Sequence, residues 1–506
     1  MYRDTRGLVE RPRTFTDTLL DGMAPGGGLY VPERLPSLTA SDLVRLSTLR
    51  YADRAATIYE AFGIDVAPDR IADIAALAYA DNFDDPEVAP VRDLGDGRFV
   101  LELWHGPTLA FKDMALQCMP LFFSEALELT HARGTTDLDF LILVATSGDT
   151  GVAALNGFAD RSHTKIAVSY PDAGVSAIQE RQMTTQPGGN LTVFAVEGDF
   201  DACQSAVKAV FDDESFAGDL ARRHGLAMSS ANSINWGRLL PQIVYYASAY
   251  ADMAARGHVP AGAPIDVCVP TGNFGDILAG YYAKRMGVPI RRFLCASNAN
   301  KVLTDFIATG TYDISSRDLV KTPSPSMDIL ISNNLERLLF DLRGDADVVR
   351  GWMDELRTAR RFTVDAETLT RLQEEFVGSW VDNDTCLQTI GRVQREKGYL
   401  MDPHTAVAWT VAGHLAADAP VLIVSTAHWS KFAADVVRGL SGVPDGAPLN
   451  EPDDFALLDR VVDMAPGARI PASLEAVRAR PARFDTRIAG RREDLEGALL
   501  DWLSRG

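Results

Sequence analysis

Residues 139–151 read Asp-Phe-Leu-Ile-Leu-Val-Ala-Thr-Ser-Gly-Asp-Thr-Gly. The apolar run at 140–144 is typical of a strand that is buried on both faces of a parallel sheet. A polar, glycine-containing turn follows at 145–151, then a helix-like stretch at 152–158 and a second apolar strand at 165–170. A strand, a helix and a further strand in this order form a βαβ unit, whose two strands run parallel. This stretch therefore predicts an α/β fold.

The same pattern occurs again further along the chain. Residues 265–270 form a second apolar strand, which leads into the turn at 271–276, a helix-like stretch and a strand at 292–296. Residues 421–426 form another apolar strand that ends in a polar turn. Further strands are predicted at 99–103 and 191–196. Because ligands bind beyond the carboxyl ends of parallel strands, we expect the turns after these strands to line one cleft.

The predicted fold class is α/β, with two open, mostly parallel twisted-sheet domains, an N-terminal helical domain and helical insertions. We expect the N-terminal helical domain at 1–95, a smaller α/β domain at 96–200 and a larger one at 201–506. Helical periodicity supports the first of these at 43–62 and 71–80. The stretches 204–257 and 334–397 are also mainly helical in pattern.

Composition excludes several classes of function. The chain of 506 residues has 46% apolar and 23% charged residues, as in ordinary globular proteins, and a formal net charge of −20. That charge argues against binding to nucleic acid or to an anionic membrane surface. The five cysteines have no C-x-x-C spacing, so neither a disulfide framework nor a metal site is predicted. Without an apolar run of membrane-spanning length or a secretory signal, we expect a soluble cytoplasmic enzyme.

Lys112 is the first candidate for chemistry. It lies in a mostly apolar run directly before a helix-like segment. Burial of an ammonium group lowers its pKa or requires a partner, and a lysine perturbed in this way can form a Schiff base with a carbonyl such as that of pyridoxal phosphate. The alternative is a solvated surface charge.

The turn at 271–276 is a candidate phosphate site. Gly272 allows close approach of an anion, and Asn273, Phe274 and Asp276 lead into the helix whose N-terminus offers free N–H groups. The alternative is an ordinary strand–helix turn in which Asp276 lies near the helix start. The glycine spacing matches neither the dinucleotide nor the P-loop fingerprint, so those ligands are disfavoured.

Two further polar turns are candidate substrate contacts. In the turn at 145–151, the hydroxyls of Ser147 and Thr150 suit a carboxylate or a phosphate, whereas Asp149 would repel one unless it points elsewhere or is protonated. The alternative for Asp149 is a helix cap or an Asx turn. In the segment at 229–238, Asn235 and Arg238 could hold a phosphorylated amino acid, or the segment could simply cap the helix that follows.

Taken together, these segments resemble the threonine synthase family. The motifs that carry the resemblance occur in the family's order over about residues 2–435 and are Gly27–Pro32, Phe111-Lys112-Asp113, Ala145–Gly151, Asn232–Trp236, Pro270–Asp276, Ser326-Met327-Asp328-Ile329, Asp402–Val407 and Ser425–Lys431. The length resembles the longer fungal and Gram-negative type. One departure is Trp429-Ser430, where the family often has Pro-Ala.

The resemblance implies a pyridoxal-phosphate lyase of fold type II, similar to the tryptophan synthase β subunit, that converts O-phospho-L-homoserine and water to L-threonine and phosphate. It implies that Lys112 forms the internal aldimine with pyridoxal 5'-phosphate. Family residues that hold the cofactor phosphate fall on Gly272, Asn273, Phe274 and Asp276, and the hydroxyl that faces the pyridine nitrogen falls on Thr426.

Composition and position near the cleft make Ser147, Asp149, Thr150, Asn235 and Arg238 candidate substrate contacts. A serine or threonine dehydratase would share the lysine and the glycine turn but would not need a second anion pocket. Two alternatives without catalysis are a binder of phosphorylated ligands and a helical interaction scaffold. A monomer or a weak homodimer is expected.

Overall fold

A computed structural model describes residues 1–172, 174–415, 419–451 and 453–505. The described chain forms two parallel sheets with helices on their faces and a mainly helical N-terminal region. The expected α/β fold class is thereby confirmed. Within the described residues, none of the helices is both long and apolar enough to cross a membrane.

The strands are β1 (Tyr2–Asp4), β2 (Tyr30–Pro32), β3 (Val91–Asp93), β4 (Arg98–Glu102), β5 (Asp139–Ala145), β6 (Thr164–Pro171), β7 (Leu191–Val196), β8 (Leu226–Ser230), β9 (Ile265–Pro270), β10 (Ile290–Ser297), β11 (Thr311–Asp313), β12 (Arg361–Thr363), β13 (Phe376–Trp380), β14 (Val421–Ser425) and β15 (Arg487–Ile488).

The helices are α1 (Phe15–Asp21), α2 (Ala40–Ser47), α3 (Tyr51–Ala61), α4 (Pro68–Tyr79), α5 (Asp113–Leu116), α6 (Met119–Ala132), α7 (Asp149–Phe158), α8 (Ala177–Thr184), α9 (Phe200–Phe211), α10 (Glu214–His224), α11 (Trp236–Ala255), α12 (Gly275–Met286), α13 (Val302–Thr309), α14 (Leu335–Arg343), α15 (Ala346–Ala359), α16 (Ala366–Glu375), α17 (Asn383–Lys397), α18 (Pro403–Leu415), α19 (Ala433–Ser441), α20 (Asp454–Met464), α21 (Ala472–Ala479) and α22 (Arg492–Arg505). Short 3₁₀ turns lie at Pro25–Gly27, Pro325–Met327 and Trp429–Phe432.

The larger sheet has six strands in the order β13-β10-β9-β14-β4-β3, and only the edge pair β3–β4 is antiparallel. The smaller sheet has five parallel strands in the order β15-β7-β6-β5-β8. All six residues of β9 are buried, as are all but the first of β5, which agrees with strands covered on both faces. The carboxyl ends of β5, β9 and β14 carry the polar turns singled out in the sequence.

Four strands of these sheets were not predicted from the sequence: β3, β8, β13 and β15. β8 ends in two serines and β13 has a glycine and a serine at its centre, so neither has a continuous apolar run. β15 is two residues long and joins the edge of the smaller sheet beside β7. Sheet pairing, rather than strand propensity, holds these segments extended.

Each sheet contains strands from both sides of the predicted domain boundaries. β4 follows residue 96 but belongs to the six-stranded sheet, and β8 follows residue 201 but belongs to the five-stranded sheet. β15, close to the end of the chain, also returns to the five-stranded sheet. Each of the two C-terminal segments expected as domains, 96–200 and 201–506, therefore supplies strands to both sheets.

The N-terminal region contains helices α1 to α4 and the antiparallel pair β1–β2. Helices α2 and α3 cover the stretch where helical periodicity was found, and α4 covers the next one. Helix α11 packs against α2, α3 and α12, so it connects the N-terminal helices to the six-stranded sheet. Its first 18 residues, 236–253, are all buried.

Candidate active site

Lys112 lies in the loop after β4, where a short antiparallel contact fixes its backbone. Ala110 pairs with Ala427, and the Phe111 N–H donates to the Thr426 carbonyl at 2.8 Å. On the other side, the His428 N–H donates to the Leu109 carbonyl at 3.0 Å. The turn after β14 and the lysine loop are therefore held as one unit, which brings Thr426 beside the lysine.

The Lys112 amine is buried, with 8% of the residue exposed. Its Nζ lies 3.5 Å from Asp149 Oδ2, 3.5 Å from Ser326 Oγ and 4.5 Å from the centre of the Phe111 ring. Burial lowers the pKa of Lys112 below its usual value, and the positive charge of Arg238 adds to this effect against the opposing carboxylate of Asp149. The pKa shift thus favours the neutral amine that nucleophilic and base chemistry require.

Asp149 is the first residue of α7 and holds the charges around the lysine in place. Lys431 Nζ lies 2.9 Å from Asp149 Oδ1, and Gln179 Nε2 donates to the same oxygen at 2.8 Å. Burial alone would raise the pKa of Asp149, but the two lysines outweigh it and hold the pKa well below its usual range. Asp149 is therefore an ionised carboxylate whose charge is compensated by two lysines. For this reason its negative charge need not repel an anion that binds near this turn.

Two buried lysines thus contact one carboxylate, and their surroundings differ. Lys431 is completely buried and donates to the Thr108 carbonyl at 2.8 Å in addition to its 2.9 Å contact with Asp149. Among the described residues, the hydrogen-bond contacts of Lys112 Nζ are the two long ones of 3.5 Å. Because weaker contacts cost less to break, Lys112 carries the more available amine.

The turn at 271–275 connects β9 to α12 and is held from outside by residues 332–334. Ser332 Oγ donates to the Gly272 carbonyl at 2.7 Å, and the Asn334 side chain donates to the Asn273 carbonyl at 3.0 Å. Phe274 adopts a left-handed backbone with φ of +62°, which aims the chain into the helix. A rigid turn with this geometry presents its backbone in a fixed orientation.

This turn has the features of a phosphate cradle. Among the residues that the structure describes, none accepts a hydrogen bond from the N–H groups of residues 272–276. A Cβ on Gly272 would lie 2.5 Å from the Ser326 carbonyl oxygen, so this position has no room for a side chain. Free N–H groups at a helix N-terminus attract an anion through hydrogen bonds and the helix dipole.

Asp276 lies in the first turn of α12 and is turned toward α11. Its Oδ1 accepts hydrogen bonds from Tyr245 at 2.5 Å and Tyr246 at 2.6 Å, while its buried Oδ2 has no partner among the described residues. Burial raises the pKa of Asp276 to about 6. The carboxyl group therefore anchors the turn to α11.

Arg238 is a buried cation without a carboxylate in contact among the described residues. Its Nη1 donates to the Ala231 carbonyl at 2.8 Å, whereas its Nε is buried without a partner. Burial lowers the pKa of Arg238 to about 10. A buried, incompletely paired guanidinium is costly unless an anion compensates it, and Arg238 is close enough to Lys112 to lower that residue's pKa.

Asn235 is fully engaged within the protein. Its side-chain oxygen accepts from the Gly237 N–H at the start of α11, and its amide donates to the carbonyls of Leu19 and Ser230, both at 3.0 Å. It therefore caps α11 and ties it to α1 and β8. A substrate contact from Asn235 would require one of these hydrogen bonds to break.

The remaining predicted residues lie on turns around the lysine. Ser147 is half-buried in the turn before α7, and Thr150 is half-buried in the first turn of that helix. Thr426, buried directly after β14, is held through its carbonyl as described above. The structure therefore places Thr426 next to the lysine loop, whereas Ser147 and Thr150 flank Asp149 in the chain.

Three residues of this cluster were not among the predicted site residues: Lys431, Gln179 and Ser326. Lys431 and Ser326 lie inside motifs that carry the family resemblance, which was the available signal. Ser326 Oγ donates to Asp149 Oδ2 at 3.4 Å, and its N–H donates to Nε2 of His404, whose Nδ1 lies 2.6 Å from Asp402. The contact of Gln179 with Asp149 has no local signature, because it depends on α8 packing against α7.

Comparisons with known proteins show the family of the chain. Residues 1–79 match the family model described as threonine synthase N terminus, and residues 89–427 match the model described as pyridoxal-phosphate dependent enzyme. Threonine synthase from Pseudomonas aeruginosa is 37% identical over 463 residues, which cover 91% of this chain and 94% of that protein. The chain belongs to the threonine synthase family. The resemblance found in the sequence is thereby confirmed.

Solved structures show the same relationship. The pyridoxal-phosphate-bound threonine synthase of Brucella melitensis has a TM-score of 0.85 at 36% identity and 99% coverage of both chains. Yeast threonine synthase has a TM-score of 0.85 at 32% identity, with 100% of this chain and 99% of that chain covered. Human threonine synthase-like 1 is 43% identical over 436 residues, 84% of this chain. The match spans only 58% of the length of that human relative.

The residues of this member of the threonine synthase family fit the cofactor that its family model names. Pyridoxal phosphate needs a lysine amine and a phosphate cradle, and Ser326 contacts both: its Oγ lies 3.5 Å from Lys112 Nζ, and its carbonyl borders Gly272. The fold type II architecture and the use of pyridoxal phosphate expected from the sequence are confirmed at the level of the family.

Proposed function

We propose that this chain is a threonine synthase, which converts O-phospho-L-homoserine and water to L-threonine and phosphate. The observation that carries the proposal is the buried, low-pKa amine of Lys112, which contacts Ser326 next to the phosphate-type turn at 272–276. Burial of a lysine that makes only weak contacts costs free energy, and such a residue with a perturbed pKa is a candidate for a functional site.

Lys112, the turn at 272–276 and Thr426 are the residues that would hold pyridoxal phosphate. Lys112 Nζ would bond to the aldehyde carbon of the cofactor, the N–H groups of the turn would bind its phosphate, and the Thr426 hydroxyl would face its ring nitrogen. When bound, the cofactor delocalises the negative charge that develops on the substrate carbon. A hydroxyl partner leaves the ring nitrogen largely unprotonated, in contrast to a carboxylate partner.

Lys112 would also move protons. Once its amine is free, Nζ can take the proton from Cα of the substrate and later one from Cβ, provided that it is neutral at the working pH. Burial and the nearby positive charges favour that neutral form. Asp149 would receive the resulting ammonium, because its carboxylate lies 3.5 Å away and stays ionised.

Arg238 would supply a second anion site, for the phosphate of the substrate. Its buried guanidinium has an unpartnered N–H and no carboxylate in contact among the described residues. A phosphate accepts strong charge-assisted hydrogen bonds from such a group. We propose that the hydroxyls of Ser147 and Thr150 assist Arg238 in binding this phosphate. Asp149 would orient the Lys112 amine, and Asn235 would hold the backbone at the start of α11.

A phosphate-release assay tests this proposal. With pyridoxal phosphate bound, we expect the protein to release phosphate from O-phospho-L-homoserine and to form an equal amount of L-threonine, and we expect Lys112→Ala to abolish both. Arg238→Lys should raise KM more than it lowers cofactor affinity, because lysine keeps the charge but not the fork of donors. Ammonia release from L-threonine or L-serine without phosphate release would instead identify a dehydratase.

We further propose that the enzyme acts in the cytoplasm as a monomer or a weak homodimer, without a nucleic-acid partner. The net charge of −20 disfavours binding to polyanions, and all five cysteines are buried and unpaired, as is usual in a reducing compartment. Sedimentation over a range of concentrations tests the oligomeric state, and a homodimer that does not dissociate on dilution, or any larger assembly, would contradict the proposal.

A further inference from the structure

A second cluster of chemically active side chains lies at the amino end of the smaller sheet. It consists of His131 in the last turn of α6, Asp139 at the start of β5 and His163 directly before β6. One potential ligand atom from each of the three residues lies within 4.8 Å of the other two. We propose that these residues form a binding site for a single divalent transition-metal ion such as Zn²⁺.

The backbone around the cluster is fixed without any metal. The Phe140 N–H donates to the His163 carbonyl at 3.0 Å, and the Asp139 N–H donates to the Gly225 carbonyl at 2.9 Å. The side chains also meet, since His163 Nδ1 lies 2.8 Å from Asp139 Oδ1 and the His131 and His163 rings are 5.1 Å apart in an edge-to-face arrangement. Such a site requires little ordering when a metal binds.

The ligand types select a class of metal. Two imidazoles and one carboxylate are the ligand set of many zinc sites, in which water fills the open position. Ligand atoms around a tetrahedral Zn²⁺ lie roughly 3.3 Å apart, given bond lengths near 2.0–2.2 Å. His163 Nδ1 and Asp139 Oδ1 are already closer than this, at 2.8 Å, and the three ligand atoms of the cluster lie within 4.8 Å of one another. Because the Asp139 and His163 side chains are more than two-fifths exposed, small rotations can bring all three ligand atoms to the spacing that the ion requires.

His163 has a left-handed backbone. Its φ of +61° lies in a region that few residues other than glycine adopt, although histidine does so more often than most. This conformation turns the chain from α7 into β6 and carries the imidazole back over Asp139. The spacing of 131, 139 and 163 matches no short metal motif, which explains why the sequence alone predicted no metal site.

The cluster lies far from the catalytic lysine. β5 has seven residues, and at about 3.3 Å per residue its two ends are roughly 20 Å apart. The cluster is at the amino end and the turn with Asp149 follows the carboxyl end. Bound Zn²⁺ would therefore join α6, β5 and β6 and stabilise the smaller sheet, since an ion that binds only the folded chain raises its stability.

Isothermal titration of the metal-stripped, cofactor-loaded protein with ZnCl₂ tests the proposal. We expect saturable binding of one ion at the cluster and an affinity that falls by more than about 10-fold in His131→Ala and His163→Ala. The matched control is His414→Ala, which removes an exposed histidine of α18 outside the cluster and should leave this binding unchanged. ZnCl₂ should raise the melting temperature of the wild type and of the control only.

X-ray absorption of the zinc-loaded wild type gives a readout that does not depend on the folding of variants. We expect two imidazole nitrogens and one carboxylate oxygen, each at about 2.0–2.2 Å. Absence of saturable Zn²⁺ binding, equal affinity in the cluster variants and the control, or a first shell that contains sulfur would each overturn the assignment.

Discussion

At the scale of single residues, the site depends on how charges are paired. Asp149 contacts both Lys112 and Lys431, yet only Lys112 has contacts as long as 3.5 Å. Motif spacing in the sequence pointed to Lys112, but the partner cation was missed because 319 residues separate the two lysines in the chain. Local patterns identify reactive residue types, whereas charge pairing is a property of the folded chain.

Gly272 provides a test of the phosphate turn. In Gly272→Ala, the new Cβ would lie 2.5 Å from the Ser326 carbonyl oxygen, so the turn must shift. We expect cofactor binding to weaken by about 1–3 kcal/mol, which is a roughly 5- to 150-fold larger dissociation constant by fluorescence titration.

The matched control for this substitution is Gly351→Ala. Gly351 lies within α15 and has open space around a Cβ, so the change should leave cofactor affinity unaltered and stabilise the helix slightly. Equal cofactor affinity in Gly272→Ala and Gly351→Ala would contradict a close-packed phosphate cradle.

Asp276 gives a prediction about the pH dependence of stability. The pKa of this carboxyl is raised by burial to about 6 in the folded chain, from an ordinary value of 3.8. Between these values the unfolded chain has lost the proton that the folded chain keeps, so this residue's contribution to stability falls as pH rises from about 4 to 6. Above pH 6, the raised pKa of Asp276 lowers the free energy of unfolding by about 3 kcal/mol relative to its value below pH 4.

Asp276→Asn should remove this cost. The amide oxygen still accepts from Tyr245 and Tyr246, and no proton is lost as pH rises. We expect the urea midpoint of the variant to exceed that of the wild type at pH 8 and the difference to vanish near pH 4. A constant difference between the two proteins over this range would show that Asp276 does not titrate as described.

At the scale of secondary-structure elements, the apolar strands were predictable and the irregular ones were not. β7 and β9 have the predicted bounds, because continuous apolar runs specify buried parallel strands. β8, β13 and β15 lack such runs and exist because a neighbouring strand pairs with them. Beyond residue 445, strand β15 and helix α22 support the smaller sheet.

A substitution in helix α22 tests whether this helix stabilises the smaller sheet. Its buried leucines Leu495, Leu499 and Leu503 belong to the apolar cluster on one face of the smaller sheet, together with residues of α9. Leu499→Ala should lower the free energy of unfolding by about 2–5 kcal/mol, because it leaves a cavity in that cluster.

The control lies two residues further along the same helix. Asp501 is exposed, so Asp501→Ala should change the unfolding free energy by less than about 0.5 kcal/mol. Calorimetric melting measures both variants. If Leu499→Ala melted like Asp501→Ala, the C-terminal helix would not be part of the packed structure.

At the scale of the whole molecule, the chain brings distant segments to one point between two sheets. The loop after β4, the turn after β5, the turn after β9 and the segment after β14 all end near Lys112, as expected for turns at the carboxyl ends of parallel strands. That these turns lie together was predictable from the order of the strands. That residues 96–200 and 201–506 each contribute strands to both sheets was not predictable, because the sheet to which a strand belongs depends on long-range pairing.

The molecule is strongly acidic overall, yet its candidate site is cationic. Lys112, Arg238 and Lys431 are all buried there with Asp149, against a formal net charge of −20 for the chain. Phosphate-bearing ligands are therefore attracted by local groups at short range rather than by the field of the whole protein.

The proposed mechanism requires that Lys112, and not the second buried lysine, Lys431, carries the cofactor. Borohydride reduction of the protein loaded with pyridoxal phosphate, followed by proteolysis and mass spectrometry of the peptides, distinguishes them directly. We predict the cofactor's mass on the peptide that contains Lys112 and none on the peptide that contains Lys431. The cofactor's mass on the Lys431 peptide would contradict the assignment. So would a Lys112→Arg variant that retains as much covalently bound cofactor after reduction as the wild type.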